Sequence, residues 1–402
     1  RLRSSLMRIL QLCNKMPYPA MDGYALAVMN LAKAFSTAGN TVGLLCMNTT
    51  RHYVDEKRIP AALNEKLKLQ AVKVDNRISA GDAFVKLLQN RSYNVSRFIS
   101  KDFDLALQKA LKDLDPGIVQ LEGLYLTPYI DTIRKYSKAK IALRAHNVEH
   151  LIWYRNSEQE KNFAKKVYLK LLARQLLKYE KNMLGQVDLL VPVSPIDAGV
   201  FNDLGNKKPV HVCPVSYDDL GKDEPITCEP DSAFFIGSLD WIPNAEGLQW
   251  FLANVWDKVH REFPRLKFYI AGRNIPSSIK SDEKKNIFVI GEVENGRNWM
   301  QGKRIMVVPL FAGSGMRVKI VEGLSQGKVI ISTGIGAEGI PVEHKKEVLI
   351  ADSAEEFIEA FRFCREEEKM QEMEKQAKRF AEQHYSATAT ARGLLDFYQK
   401  HT

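Results

Sequence analysis

Residues 313–322 read GSGMRVKIVE, a run whose side chains suit the holding of an anion beside a sugar. Gly313, Ser314 and Gly315 carry little side-chain bulk, so backbone N–H groups can converge there without Cβ obstruction. A helix opening at Arg317 adds the positive end of its dipole, and Arg317 and Lys319 add mobile charge. Phosphate or diphosphate is the ligand such a set fits. Glu322 lies about one turn inside the helix, where a carboxylate can accept hydrogen bonds from sugar hydroxyls. A phosphate cradle followed by a hydroxyl reader describes a nucleotide site.

The elements around this run must place it. Val307–Ile340 reads as an apolar strand, the glycine loop, the helix, a second strand and a second glycine-rich loop. Before it come a strand from Ala233 (AFFIGSL), a helix over Ala245–Phe263, and strands at Leu266–Ala271 and Ile287–Ile290. The first half follows the same alternation. Strands are expected at Arg8–Cys13, Thr41–Met47, Leu67–Val74, Gly117–Leu121, Lys140–Ala145, Asp188–Val193 and Val210–Val215. Helical spacing appears over Ala25–Phe35, Phe103–Leu114 and Glu158–Leu184, and again in the last residues after His384. Strand–helix alternation predicts an α/β fold with parallel sheets, in which ligands sit at the carboxyl ends of the strands. His146, Asn147 and Glu149 fall just past one such end, and the loop at Asp22 and Gly23 past another. A lone histidine is often structural, but this one stands where a ligand would be met.

The length of 402 residues calls for more than one core. The polar run from Pro214 to Asp231 is the best boundary. The expected division is 7–215, a linker over 216–231, a second domain over 232–383, and a C-terminal helix in 384–402 packing back towards the first domain. The formal charge of +10 points to anionic partners. The five cysteines, Cys13, Cys46, Cys213, Cys228 and Cys364, are scattered without a C-x-x-C pair, so neither a disulfide framework nor a zinc site is indicated. The sequence shows no membrane-spanning run and no secretory leader, and a cytoplasmic setting is the simplest expectation. Between Glu158 and Leu184, Lys161, Lys165, Lys170, Arg174, Lys178 and Lys181 form a basic stripe, read as opposite Phe163, Val167, Leu171, Leu172, Leu176 and Met183. Two readings stand: a solvated face over a packed one, or a patch that meets anionic lipid at the inner face of a membrane.

Four stretches resemble the retaining nucleotide-sugar glycosyltransferases of family four. They are the P-x-P…DG loop and helix at Pro17–Phe35, RAHNVEHLIW at Arg144–Trp153, FFIGSLDWIPNAEGLQWF at Phe234–Phe251, and GSGMRVKIVEGLSQGKVIISTGIGAEGI at Gly313–Ile340. The resemblance implies a GT-B fold, two Rossmann-like domains facing across a cleft. It implies that the C-terminal domain takes the nucleotide sugar and the N-terminal domain the acceptor. Glu322 would bind the ribose, and Arg317 and Lys319 the diphosphate. His146 would lie near the transferred sugar, Gly23 would let backbone approach the diphosphate, and Val289–Val293, with Gly291 at its centre, would pass near the base. Gly313, Ser314, Gly315 and Gly237 complete the expected donor set. Two departures stand out: many members carry a glutamate where Ser314 stands, and Gly237-Ser-Leu-Asp240 replaces an Arg and Lys that often bind diphosphate.

The expected activity is transfer of a sugar from a nucleoside diphosphate to an acceptor hydroxyl in polysaccharide or lipid-linked glycan assembly. By resemblance it proceeds with retention and without a protein nucleophile. No Asp-x-Asp pair sits at a strand end, which agrees with metal independence, and no cofactor beyond the donor is called for. Two alternatives remain. One is a degenerate sugar-nucleotide sensor or scaffold, suggested by Ser314. The other is a sugar-nucleotide epimerase, for which the loops offer mainly His146 and Glu149. A nicotinamide oxidoreductase is disfavoured because no strand leads into G-x-G-x-x-G with a later acidic residue. Nucleic-acid binding is disfavoured because the basic stripe lacks interleaved exposed aromatics.

Overall fold

The computed structural model describes residues 6–20, 22–76, 93–160, 162–217, 226–312 and 316–402. Two compact units divide them, Arg1–Ser216 with Thr390–Thr402, and Tyr217–Ala389.

The first unit carries strands β1 (Arg8–Cys13), β2 (Thr41–Thr49), β3 (Leu69–Val74), β4 (Ile118–Glu122), β5 (Lys140–Ala145) and β6 (Leu189–Pro192). They form one parallel sheet in the order β3-β2-β1-β4-β5-β6. All five residues of β4 are buried, as expected of a parallel strand covered on both faces. The second unit repeats the order with β7 (Ser232–Ile236), β8 (Lys267–Ala271), β9 (Ile287–Gly291), β10 (Ile305–Val308), β11 (Val329–Ser332) and β12 (Leu349–Ile350). Its sheet runs β12-β11-β10-β7-β8-β9. In both sheets the winding reverses between the first and fourth strands of the unit. That switch point leaves a crevice at the carboxyl ends.

Three expectations are corrected. Residues 210–215 are not a strand; Val210 makes a single bridge to Leu190. Leu190 exchanges both of its backbone bonds with this segment and the Cys213 N–H donates to the Pro192 carbonyl at 2.9 Å, but Pro192 has no N–H to return, so no second bridge forms. The long helix begins later than Glu158. Glu149–Gln159 and Phe163–Gln186 are separate helices, because Glu160 is extended and Asn162 caps the second by accepting from the Lys165 N–H at 3.0 Å. Within that second helix Leu172, Leu176 and Met183 are buried, whereas Phe163, Val167 and Leu171 are exposed. Lys161 lies outside the described residues. The predicted helix over 245–263 starts at Ile242, with Pro243 in its first turn, and passes through a π turn at Leu252–Trp256.

Candidate functional sites in the two units

In the second unit the helix Val318–Ser325 follows β10, with Arg317 as its N-cap residue in extended conformation. Arg317 is buried, and its guanidinium lies over the Trp241 ring at 5.0 Å. The Lys319 ammonium donates to the Ile236 carbonyl and to Asn244 Oδ1, both at 3.2 Å, and lies 4.7 Å from the centre of the Phe235 ring. Burial and then the neighbouring Arg317 charge pull Lys319 down to about 7. Glu322 is pushed up to about 7 by its enclosure, opposed by Arg297. An ammonium lowered by burial and by a second cation is a group that gains from an incoming anion.

Backbone packing brings these groups together. A Cβ on Gly247 would stand 1.9 Å from the Pro309 carbonyl, so only glycine lets the helix Ile242–Phe251 lie against the end of β10. Asn244, on that helix, donates to the Ser238 carbonyl at 2.9 Å and accepts from Lys319. Gly272, at φ +146, lies so close to Gly237 that a Cβ would meet the Gly237 carbonyl at 1.7 Å, and its N–H donates to the Gly291 carbonyl at 2.8 Å. Gly237, Lys319 and Asn244 thus share one strand edge, with Gly291 reached through Gly272. Gly313, Ser314 and Gly315 lie outside the described residues.

In the first unit the carboxyl ends of β1, β4 and β5 open on a cavity of about 620 Å³ whose lining includes Lys15, Tyr24, Glu122, Tyr125, His146 and Glu149. At its base is Glu122, fully buried. Its Oε1 accepts from Gln11 at 2.8 Å and from Gln120. Its Oε2 faces Arg144 Nη1 at 3.4 Å and His146 Nε2 at 2.7 Å. Burial would raise this carboxyl, but the Arg144 charge and the His146 hydrogen bond outweigh it and hold it below the usual range. His146 is lowered by burial and by Arg144, against the pull of Glu122, so it is neutral at pH 7. With Nε2–H donating to Glu122, its Nδ1 is the acceptor. Arg144 also donates to the Ala27 carbonyl at 3.1 Å.

Glu149 heads the helix Glu149–Gln159 and accepts from the Tyr125 hydroxyl at 2.7 Å. Burial, with repulsion from Glu180, raises it to about 7. Glu180 receives the backbone N–H groups of Glu149 and His150 at 2.9 and 3.0 Å and the His150 ring at 2.6 Å, so a carboxylate from the next helix caps this one. Gly23 opens the helix Gly23–Thr37, capped by Asp22, which accepts from the Ala25 N–H and pairs with Lys15 at 2.6 Å. Glu122, Tyr24, Tyr125 and Lys15 were not among the sequence-derived site residues. The available signal was polar residues inside apolar strands: Gln11 in RILQLC, Gln120 and Glu122 in IVQLE, Arg144 in KIALRA. Among the described residues no group of three or more His, Cys, Asp or Glu side chains could hold a metal ion.

Residues 230–366 match the family model for glycosyl transferases group 1. A protein of Klebsiella pneumoniae described as an uncharacterized 44.6 kDa protein in the cps region is 25% identical over 373 residues, covering 86% of this chain and 88% of its own. Among solved structures, sucrose-phosphate synthase from Thermosynechococcus elongatus aligns with a TM-score of 0.68 at 12% identity, over 98% of both chains. TarM aligns at 0.67 and 9% identity, over 98% of this chain and 99% of its own. Anabaena HepE in complex with UDP-glucose aligns at 0.62 and 13% identity, over 97% and 98%. At these identities the structures speak for the fold. The chain therefore has the fold of the GT-B glycosyltransferases, and its residues 230–366 are similar to the group 1 glycosyl transferases.

Proposed function

We propose that this protein transfers a sugar from a nucleoside diphosphate to an acceptor hydroxyl, with retention at the anomeric carbon, in the assembly of a polysaccharide or lipid-linked glycan. The observation that carries the reading is Lys319, an enclosed ammonium held at the switch point of the second sheet beside Arg317 and one turn before Glu322. The diphosphate would lie against Arg317, Lys319 and the helix N-terminus, and the ribose hydroxyls against Glu322. As the glycosidic C–O bond breaks, charge grows on the leaving phosphate, and preorganised cations favour that state over the bound substrate. The acceptor oxygen forms the new bond on the face the diphosphate leaves, and its proton passes to a diphosphate oxygen. No protein nucleophile and no metal is required in this scheme.

The first-unit cavity is the acceptor side in this reading. Neutral His146 offers Nδ1, and Glu149 and Tyr125 offer further polar partners for hydroxyls. The solved HepE complexes hold UDP and UDP-glucose, which supports a uridine donor as the first to test. The cps-region relative supports glycan assembly. A lipid-linked acceptor at the inner face of a membrane is consistent with the cations of the helix Phe163–Gln186. The test is a thermal-shift panel of nucleoside diphosphates and their sugars, followed by NMR of the product linkage. One nucleotide should raise the melting midpoint, and the product should keep the donor's anomeric configuration. No shift with any nucleotide would refute the donor site, and an inverted product would refute retention.

A further inference from the structure

The helix Phe163–Gln186 presents one solvent face built in two parts. At about 100° per residue, Phe163, Val167 and Leu171 fall in the same sector as Lys170, Arg174, Lys178 and Lys181. Leu169, Leu172, Leu176 and Met183 occupy the opposite side and are buried. Phe163 is 80% exposed, and Val167 and Leu171 are each 42% exposed. Arg174, Lys178 and Lys181, further along, are exposed as well. The face is thus apolar over its first turns and cationic over its later ones. Glu180 is the sole acid within the helix and is buried against His150, so no carboxylate of the helix screens that charge. On the adjoining helix Glu158 pairs with Lys170 at 2.8 Å, and Tyr154 is 50% exposed.

We infer that this face docks on an anionic phospholipid surface, with Phe163, Val167 and Leu171 entering the acyl boundary and Arg174, Lys178 and Lys181 lying on the headgroups. Uncompensated cations next to exposed apolar side chains complement a surface that offers both phosphate charge and hydrocarbon. A second copy of the chain is the poorer occupant. Two such faces packed together would set cations against cations in one orientation and cations against Phe163 and Leu171 in the other. Among the described residues no helix is long and apolar enough to cross a membrane. The inference does not depend on glycosyl transfer.

The full chain is sedimented with vesicles of phosphatidylcholine alone and with added phosphatidylglycerol. The variant Phe163→Ser, Val167→Ser, Leu171→Ser should lower the partition onto anionic vesicles by roughly tenfold or more. Its melting midpoint should stay unchanged, since these side chains lie outside the core. The variant Arg174→Gln, Lys178→Gln, Lys181→Gln should remove the preference for anionic over neutral vesicles. In the parent protein that preference should fade between 0.1 M and 1 M salt, as the screening length drops from about 10 Å to about 3 Å. Parent-like partition of either folded variant overturns the proposal. A change in mass by analytical ultracentrifugation without a change in partition would instead make the face a protein interface. Should the serine variant fail to fold, the glutamine variant and the salt series decide.

Discussion

Glu122 gathers Gln11, Gln120, Arg144 and His146 around one buried carboxyl, and its charge is what makes Arg144 tolerable in the core. Glu122→Gln keeps the volume and removes the charge, leaving a buried guanidinium unpaired. The expected loss is about 3–5 kcal/mol of folding stability, read by chemical denaturation. Because the folded carboxyl is held low, its contribution is present above the unfolded value of about 4.3 and fades as pH falls through the folded one. The gap between parent and variant should therefore narrow in acid; a constant gap would remove the charge from the account. In the second unit, Glu322→Ala should weaken nucleoside diphosphate binding by about 1.5–3 kcal/mol in calorimetry, the range for hydrogen bonds to a charged group. Unchanged affinity would end its role as hydroxyl reader. His146 was legible because it stands directly past a strand end. Glu122 was not, because its importance lies in contacts with residues 22 and more than 100 positions away, which no local pattern displays.

At the scale of elements, the helix Val318–Ser325 carries two groups displaced in opposite senses to the same value, about 7. An anion favours protonated Lys319, and ribose hydroxyls favour ionised Glu322. Donor binding should then be tightest near neutral pH and weaken on either side, with proton uptake on the alkaline side and release on the acid side. Calorimetry in buffers of different ionisation enthalpy checks this, and a flat profile from pH 6 to 9 would contradict it. The unfolded chain holds the Lys319 proton more tightly, so the cost of burying it disappears as pH rises from about 7 towards about 10.4. Packing sets the position of this helix's neighbours, and Gly247→Ala should show how tightly. A Cβ 1.9 Å from the Pro309 carbonyl forces the helix Ile242–Phe251 away from β10, at an expected cost of about 1–3 kcal/mol or more. Because Asn244 rides on that helix and holds Lys319, donor affinity should fall with it. The glycine's need for space was invisible in the sequence, where Gly247 reads only as a poor helix former.

At the scale of the whole chain, alternating apolar runs and helical periods were enough to read two parallel α/β sheets, since buried strands and amphipathic helices differ in period. What stayed hidden were features set by single backbone groups. The missing N–H of Pro192 leaves a single bridge at Val210 in place of a seventh strand, and the cap at Asn162 divides one expected helix into two. The exposed side of Phe163, Val167 and Leu171 was also hidden, because a helix with cations and hydrophobes in one sector has no clean periodic signal. The chain's end shows how non-local the first core is. Thr390–Thr402 belongs to the first unit, where Leu394 and Tyr398 are fully buried, Leu395 is nearly so, and the Tyr398 hydroxyl donates to Gln120 Oε1 at 2.6 Å. Each such side chain is worth about 1.5–3 kcal/mol when buried. Deleting residues 390–402 should therefore cost the first unit on the order of 5 kcal/mol and speed amide exchange in β4, which contains Gln120. The second unit keeps its own sheet and core, so nucleoside diphosphate should still raise its melting transition. Exchange in β4 that matched the parent would show that the first core closes without the C-terminal segment. Loss of the nucleotide shift together with protection in β4 would show that the two units fold as one.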